Sequence, residues 1–347
     1  MTASYKKFIL NFKKPSGTSR GVLTEKETWF ILLSHNGKQG IGECGLLRGL
    51  SIDDVPEYEE KMRWTCQNIN LGLAKLYQEL SSFPSIQFGL EMAYKSLEND
   101  NQFVLFPSKF TSGKDEIPIN GLIWMGDVQD MKMQVREKIE QGFSCIKMKI
   151  GAIDFNSEIA VLKRLRQEYS ESDIEIRVDA NGAFHPSEAL DKLKQLSEFK
   201  LHSIEQPIKP RQYEKMAMLC ETSPLPIALD EELIGVFGLM EKQELIQSIK
   251  PQYIILKPSF VGGFKGSLEW IALAEDNQIK WWITSALESN IGLNAIAQWT
   301  YTLKNNMHQG LGTGGLFTNN FLSPLQVKNG NLRYESQIEW NLNTLDL

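Results

Sequence analysis

The chain has 347 residues, of which 42% are hydrophobic and 23% charged, and its formal net charge is −6. This composition is typical of a globular protein with a large core, and the lack of a long basic run argues against a nucleic-acid partner. No apolar run reaches the roughly 18 residues of a membrane span, and the amino terminus lacks a signal-peptide pattern. Four scattered cysteines without paired or zinc-type spacing favour reduced thiols and a cytoplasmic location.

The first hundred or so residues predict an α+β unit. Strand-like segments cover residues 5–13 and 27–44, and Asn36-Gly37 predicts a two-residue hairpin turn within the second segment. Residues 54–100 then have apolar positions at helical spacing. Strands followed by helices are typical of α+β domains. We expect a capping domain over residues 1–115, with the tail 320–347 returning to it.

From about residue 117, strand-like and helical segments alternate, which predicts parallel strands joined by helices. The predicted strands end at regular places in the chain, namely Lys149, Asp179, Glu205, Asp230 and Lys257. These positions are 30, 26, 25 and 27 residues apart, about one strand–helix unit each. Seven or eight such units favour a closed barrel over residues 116–319. No GxGxxG follows a strand, which disfavours a dinucleotide-binding fold.

Three carboxylates end three successive predicted strands. In a barrel, the carboxyl ends of all strands open on one face, so Asp179, Glu205 and Asp230 should converge there. Converging carboxylates repel one another unless a cation relieves them. An all-oxygen ligand set suits Mg²⁺ or Mn²⁺ better than zinc. The sequence therefore predicts a divalent-metal site, although each acid taken alone is equally consistent with a structural role such as a helix N-cap.

Lysines flank these carboxylates on both sides. In "IKMKIG", Lys147 and Lys149 are two residues apart and therefore point to the same face of a strand. Lys257 ends a later strand, so it should approach the metal from the opposite side. A lysine beside a bound cation can serve as a base, and the metal can stabilise the enediolate formed by proton abstraction next to a carboxylate. The role of Lys147 stays open.

Taken together, these residues resemble the enolase superfamily and its muconate-cycloisomerase-like subgroup. The matching motifs are "KMK", "RVDAN", "IEQP", "ALDEE" and "ILKPS". The resemblance covers essentially the whole chain. It implies a modified TIM barrel, (β/α)7β, with an α+β capping domain. It also implies metal ligands at Asp179, Glu205 and Asp230 and catalytic lysines at Lys149 and Lys257.

Within the subgroup, the loops "PSGTSRGVL" and "GIGECGLLRGLSIDD" and the segment "TSALESNIG" are similar to those of the o-succinylbenzoate synthase family. That resemblance implies Mg²⁺-dependent dehydration of 2-succinyl-6-hydroxy-2,4-cyclohexadiene-1-carboxylate, a small carboxylate of menaquinone biosynthesis, with Lys149 as the base. The residues expected to bind substrate are Lys147, Arg20, Arg177, Asn181, Gly262, Gly263, Ser285 and Ser289. By residue type alone, Gly262-Gly263 fits either a loop hinge or the approach of a ligand anion to a helix start.

Other activities are consistent with parts of this pattern. A dipeptide epimerase of the same subgroup typically carries Asp-x-Asp on the last strand, whereas residues 310–315 here are "GLGTGG". N-succinylamino acid racemase activity stays open, because one site can serve both reactions. A Schiff-base aldolase needs no carboxylate triad, and a catalytically silent relative should have lost a ligand or a lysine. The oligomeric state is open.

Overall fold

An antiparallel sheet of three strands begins the chain, in a computed structural model that describes residues 1–18 and 21–345. Arg20 lies outside the described residues. The strands are β1 (Thr2–Thr18), β2 (Gly21–His35) and β3 (Lys38–Cys44). Asn36 and Gly37 form the turn between β2 and β3, with φ of +51° and +78°. Both angles are those of the tight hairpin turn that the Asn-Gly pair predicts.

Three helices cover one face of this sheet: α1 (Tyr58–Gln67), α2 (Leu73–Glu79) and α3 (Pro84–Glu98). Helix α3 packs directly on β3 because small residues face each other there. A Cβ atom placed on Gly42 would lie 1.8 Å from the carbonyl oxygen of Gly89. Since real Cβ atoms cannot approach so closely, the glycines allow the helix backbone to rest on the strand.

Seven parallel strands form the second sheet, in the sequential order expected of a barrel. They are β5 (Gly121–Ile123), β6 (Cys145–Lys149), β7 (Glu175–Asp179), β8 (Ser203–Glu205), β9 (Ile227–Leu229), β10 (Tyr253–Leu256) and β11 (Lys280–Ile283). The connecting helices are α4 (Val128–Glu140), α5 (Phe155–Glu168), α6 (Pro186–Ser197), α7 (Tyr213–Thr222), α8 (Leu239–Ile249), α9 (Pro258–Val261), α10 (Gly263–Asp276) and α11 (Asn290–Thr302).

The two edges of the parallel sheet are joined by a short eighth segment. Gln309 bridges Ile119, just before β5, and Gly310 bridges Thr284, just after β11. Both bridges are parallel, so the segment occupies the eighth strand position. The predicted modified TIM barrel, (β/α)7β, with an α+β unit in front of it is confirmed.

A third, small sheet contains part of the carboxyl-terminal tail. It consists of β4 (Glu116–Pro118), β12 (Leu325–Lys328) and β13 (Asn331–Tyr334), with β13 in the middle. The tail also contacts the first sheet, where Phe321 packs against Phe8 and Phe30. In the described ranges, 1–18 and 21–345, no helix is long and apolar enough to cross a membrane.

Two glutamates of the amino-terminal unit cap helices of the barrel. Glu43 of β3 accepts hydrogen bonds from the backbone N–H groups of Ser289 and Gly292, at 2.9 and 2.8 Å, at the start of α11. Glu91 of α3 accepts a 2.5 Å hydrogen bond from the N–H of Phe264, at the start of α10. Because helix starts carry unsatisfied N–H groups and partial positive charge, both carboxylates hold the two units together.

The Glu43 cap contains a buried cation. Lys26 is only 2% exposed and lies near Glu43 and Glu288. Burial lowers the pKa of Lys26, and the two carboxylates act in the opposite direction. Glu288 itself accepts hydrogen bonds from Ser259 Oγ and Ala286 N, at 2.5 and 2.7 Å. The interface is therefore an ionic network, and removal of one charge leaves others uncompensated.

Glu43→Gln should lower the free energy of unfolding by about 2–5 kcal/mol. The amide replaces one accepting oxygen by a donor, and Lys26 loses a carboxylate partner in a buried environment. Urea denaturation followed by circular dichroism measures the difference. The control is Glu25→Gln, an exposed position on the same strand as Lys26, which should change stability by less than about 0.5 kcal/mol. An equal effect of the two substitutions would contradict the capping role.

A buried carboxyl, Asp53, provides a pH-dependent contribution to stability. It accepts hydrogen bonds from Ser85 N and Oγ, at 3.0 and 2.6 Å, at the start of α3. Burial nevertheless raises its pKa from 3.8 to about 6. Between about pH 4 and 6, the folded protein therefore holds a proton that the unfolded chain has released. Raising the pH through this window must weaken folding.

Asp53→Asn should remove this dependence. Relative to the parent, the variant should gain about 2–3 kcal/mol of stability between pH 4 and pH 7, because one pKa unit corresponds to about 1.4 kcal/mol. Denaturation at a series of pH values measures the difference. Asp54→Asn is the matched control. Partial burial acts to raise the pKa of Asp54, but hydrogen bonds from Gly49 and Arg48 lower it, so the Asp54 carboxylate stabilises the folded state as the pH rises, and its substitution should change the pH dependence of stability in the opposite direction. A pH-independent difference for Asp53→Asn would contradict this account.

Candidate active site

A cavity of about 560 Å³ lies between the first sheet and the carboxyl ends of the barrel strands. This volume is in the range of small-ligand sites. Residues 13–16 and 21–23 of the first hairpin and residues 47–50 line one side. The register between β1 and β2 shifts between Asn11 and Ser16, next to the first of these segments. Lys147, Lys149 and Lys257 lie on the barrel side.

The predicted lysines and carboxylates meet at this end of the barrel. Lys147 Nζ lies 3.0 Å from Asp179 Oδ2 and also contacts Glu205 Oε2. Lys149 Nζ lies 3.1 Å from the same Asp179 oxygen. Lys257 is paired with Asp230. Residues from five neighbouring strands thus form one cluster, which we call the carboxylate–lysine cluster: Lys147, Lys149, Asp179, Glu205, Asp230 and Lys257.

Strand register explains most of this convergence. Lys149 is paired with Asp179 across β6 and β7, and Asp179 with Glu205 across β7 and β8. Asp230 lies further along, because Glu205 is paired with Ala228. The equal spacing in the sequence therefore brings the residues together, although Asp230 is two residues beyond the common register. It follows the end of β9, where the chain enters a short 3₁₀ turn.

Asn181, expected to bind substrate, lies beside Lys149 and lines the cavity. Its Oδ1 accepts a 2.7 Å hydrogen bond from Lys149 Nζ, and its Nδ2 donates to Glu231 Oε1 at 2.9 Å. The backbone of Asn181 has a φ of +44°, which asparagine tolerates better than most residues. Asn181 therefore fixes the position of the Lys149 ammonium relative to Asp179.

Burial and neighbouring charges perturb the ionisation of the cluster in both directions. Burial and the adjacent Asp179 raise the pKa of Glu205 well above its usual range. Lys147 and Lys149 hold the pKa of Asp179 below its usual range despite burial. Burial alone would lower the pKa of Lys257, but Asp230 and Glu205 raise it. The carboxylates are thus stable together only with cations between them.

The donor set fits a divalent metal ion. Asp179, Glu205 and Asp230 are each 1–2% exposed and offer carboxylate oxygens. Glu205 Oε1 is buried and has no hydrogen-bond partner, which is costly unless a ligand uses it. Hard oxygen donors without sulfur or imidazole are typical of Mg²⁺ and Mn²⁺ sites. The residues present are therefore compatible with the metal that the sequence predicts.

Ser285 also lines the cavity, as predicted. It follows β11, and its Oγ lies 2.6 Å from Thr313 Oγ1, so the two hydroxyls share a hydrogen bond. Ser289 lies elsewhere: it is the N-cap of α11, and its Oγ binds Glu43 at 2.5 Å. Within the described part of the chain, Ser289 is not among the residues that line the cavity.

Arg177 occupies the interior of the barrel and is not among the described residues that line the cavity. Its Nε donates to Glu175 Oε1 at 2.7 Å and its Nη1 to the carbonyl oxygen of His308 at 2.9 Å. The guanidinium carbon lies 4.3 Å from the centre of the Trp282 ring. Arg177 precedes Asp179 by two residues on β7, so its side chain points into the barrel like that of Asp179 but lies one layer of side chains below the carboxylate–lysine cluster.

Gly262 and Gly263 likewise lie outside the described cavity lining. The carbonyl oxygen of Gly262 accepts a 2.5 Å hydrogen bond from the Tyr77 hydroxyl. At the start of α10, the carboxylate of Glu91 already occupies the anion position. Both glycines have positive φ, 90° and 72°, which glycine adopts readily at the turn between α9 and α10.

Several cavity and interface residues were not predicted. Thr313 lies in the glycine-rich segment 310–315, where the sequence showed only the lack of an acid. Glu43 and Glu91 contact residues far away in the chain, so no local pattern indicates them. Glu231, which accepts a hydrogen bond from Asn181, directly follows Asp230, and its acidic side chain at a strand end was the sole sequence feature that could have indicated a role near the site.

Comparison with known proteins agrees with this geometry. The family model "Enolase C-terminal domain-like" matches residues 130–337, and "MenC, N-terminal domain" matches residues 7–97. An o-succinylbenzoate synthase from Desulfotalea psychrophila is 46% identical, over 95% of this chain and 98% of that protein. An L-amino acid-D/L-Glu epimerase from Francisella philomiragia is 25% identical over 76% of the chain and 75% of that protein.

Solved structures show the same relationship. The crystal structure of MenC from Desulfotalea psychrophila superposes with a TM-score of 0.86 at 42% identity and covers 96% of this chain and 99% of its own. A muconate lactonizing enzyme from Pseudomonas fluorescens shares the fold, with a TM-score of 0.84 at 22% identity over 99% of this chain and 97% of its own. The chain therefore belongs to the o-succinylbenzoate synthase family of the enolase superfamily.

Proposed function

We propose that this enzyme is an o-succinylbenzoate synthase, which dehydrates 2-succinyl-6-hydroxy-2,4-cyclohexadiene-1-carboxylate to its aromatic product in menaquinone biosynthesis. The observation that carries this proposal is the carboxylate–lysine cluster on the barrel side of a cavity of suitable size, in a chain of this family. Lys147, Lys149, Asp179 and Lys257 line that cavity, whereas Glu205 and Asp230 are not among the described lining residues. The substrate is a small carboxylate. We further propose that residues 1–115, together with the tail 320–347, form a capping domain, and that residues 116–319 form the barrel. We propose no nucleic-acid partner. A cytoplasmic location is proposed because the four cysteines are free thiols.

Enolase superfamily enzymes bind a divalent metal, and we propose Mg²⁺, with Mn²⁺ as a substitute. Asp179, Glu205 and Asp230 would hold it. When bound, the ion would supply positive charge that stabilises the negative charge developing on the substrate carboxylate oxygens after proton removal. The surrounding barrel wall, in which these carboxylates are almost fully buried, excludes water and strengthens that effect.

Lys149 is proposed as the base and then the acid. Its neutral amine takes the proton on the carbon next to the ring carboxylate, and the ammonium gives a proton to the departing hydroxyl. One water leaves, the ring becomes aromatic, and the lysine returns to its starting state. Asn181 Oδ1 and Asp179 Oδ2 hold Nζ from two sides, at 2.7 and 3.1 Å. Lys257, paired with Asp230 across the cluster, is proposed to stabilise the developing charge from the other side.

The remaining cavity residues are proposed to seat the substrate. Ser285 presents a hydroxyl from the seventh strand, and Lys147 contributes positive charge beneath the carboxylates. Arg20 stays a prediction from the sequence resemblance. The first hairpin and residues 47–50 cover the cavity from the other side, where they can contact the succinyl chain.

N-succinylamino acid racemase activity is the second candidate. It is favoured by one observation: Lys149 and Lys257 lie in the same cavity but are held by carboxylates of different strands, Asp179 and Asp230. Two lysines on opposite sides of a carbon acid can remove and return a proton on opposite faces.

Lys149→Ala should lower turnover by at least about 10³-fold, because both proton transfers use this amine. The measurement is Mg²⁺-dependent formation of the aromatic product by ultraviolet absorbance. Lys215→Ala, at an exposed lysine of α7, is the control and should leave turnover unchanged. Exchange of the α-proton of N-succinylamino acids in D₂O, followed by NMR, tests the second candidate. Folded, metal-loaded protein that dehydrates nothing would overturn the main proposal.

Glu205→Gln should weaken Mg²⁺ binding by about 100-fold or more. The substitution removes one of three anionic ligands and leaves an amide near Lys147. Isothermal titration with Mg²⁺ measures the affinity, and Glu214→Gln, at an exposed glutamate of α7, serves as control. Unchanged affinity in Glu205→Gln would exclude this residue as a ligand.

A further inference from the structure

A second group of metal-binding side chains lies at the opposite, amino-terminal end of the barrel strands. Cys145 begins β6, Glu175 begins β7, and His308 directly precedes the eighth segment. Strand parity turns Cys145 to the same inward face as Lys149, and Glu175 to the same face as Asp179. The three residues are therefore part of the barrel interior, but four positions below the carboxylate–lysine cluster along each strand.

The donor atoms are close enough for one ion. Cys145 Sγ lies 3.2 Å from Glu175 Oε1, and His308 Nδ1 lies 4.0 Å from Glu175 Oε2. All three ligand atoms lie within 4.8 Å of one another. In a tetrahedral zinc site, with bonds of about 2.0–2.3 Å, ligand atoms are about 3.5 Å apart. A shift of about 1.3 Å in the longest separation would bring the three ligand atoms to that spacing, with the fourth position of the tetrahedron left open.

Neighbouring residues orient these ligands as an outer shell would. Ser144 Oγ lies 3.0 Å from His308 Nε2 and so holds the ring with Nδ1 facing Glu175. Burial lowers the pKa of His308, which favours the neutral ring that a metal needs. Arg177 donates to Glu175 Oε1 and leaves Oε2 available.

The thiol chemistry and the access also suit a divalent ion. Burial raises the pKa of the Cys145 thiol, Arg177 acts against this rise, and Glu175 adds to it. A metal would replace the thiol proton, which leaves to solvent, and the thiolate would add a negative charge beside the Glu175 carboxylate, which is already paired with Arg177. Side chains of Glu175 and His308 are 29% and 24% exposed, so an ion can enter from the base of the barrel. A mixed sulfur, nitrogen and oxygen set favours zinc over magnesium.

We propose that Cys145, Glu175 and His308 form a zinc site at the amino-terminal end of the barrel, separate from the catalytic metal site. This base site joins β6 and β7 to the eighth segment, in addition to the isolated bridges at Gln309 and Gly310 and the hydrogen bond from Arg177 to the carbonyl oxygen of His308. Zinc at the base site would therefore stabilise the closed barrel by linking the eighth segment to β6 and β7. The proposal does not depend on the substrate of the enzyme.

The test uses full-length protein, saturated with Mg²⁺ to fill the carboxylate site and titrated with Co²⁺ as a spectroscopic substitute for zinc. We expect one equivalent of Co²⁺ to bind with a thiolate-to-cobalt charge-transfer band in the near ultraviolet, and Zn²⁺ to displace it. Zn²⁺ should also raise the melting temperature by about 2–5 °C, since it binds the folded state only.

Variants assign the ligands. Cys145→Ser should abolish the band, and His308→Gln should weaken binding at least about tenfold, whereas Cys220→Ser, at another buried cysteine, should behave as the parent. Turnover with Mg²⁺ should be unchanged in all three variants. Absence of the band, its persistence in Cys145→Ser, or loss of binding under excess Mg²⁺ would each overturn the proposal. If Cys145→Ser does not fold, His308→Gln decides the question alone.

Discussion

Buried charge at the carboxyl ends of the strands is the constraint that shapes this protein. Asp179, Glu205 and Asp230 are almost completely removed from water, a state that is very costly for carboxylates without cations. Lys147 and Lys257 supply that compensation through direct ion pairs. Stability alone does not explain these buried charges, because apolar residues of similar volume would stabilise the fold at least as well. The cluster is therefore best understood as a site prepared for a metal and an anionic substrate.

The same constraint extends to the contact between the two units of the chain. The cavity needs a cover, and the first sheet provides it only if its position over the barrel is fixed. Glu43 and Glu91 fix it by binding backbone N–H groups at the starts of α11 and α10. Both helices directly follow segments that contribute to the site, namely those with Ser285 and Lys257. The caps thus couple the position of the cover to the shape of the cavity.

Sequence reasoning predicted the parts of this arrangement that repeat along the chain. The regular spacing of Lys149, Asp179 and Glu205 placed them at one end of parallel strands, and strand pairing in the structure brings them into one register. Spacing could not predict contacts made across the fold. The glycines at 262 and 263 looked suitable for a ligand anion, but Glu91, more than 170 positions away, fills that place. The family resemblance placed Arg177 among the substrate-binding residues, yet sequence could not tell at which depth the guanidinium finds its partners, which are Glu175 and the carbonyl oxygen of His308.

The depth of Arg177 explains how one barrel can hold ionisable groups at both ends. Its guanidinium lies over the Trp282 ring and donates to Glu175 below, while Asp179 is two residues further along the same strand. A guanidinium in this layer is favourable for the carboxylates above it and for the glutamate beneath it. Apolar residues such as Ile255 and Trp282 complete the layer and separate the two polar ends. The interior is therefore divided into a catalytic end, a cationic and aromatic middle, and a base where Cys145, Glu175 and His308 are free to do different chemistry.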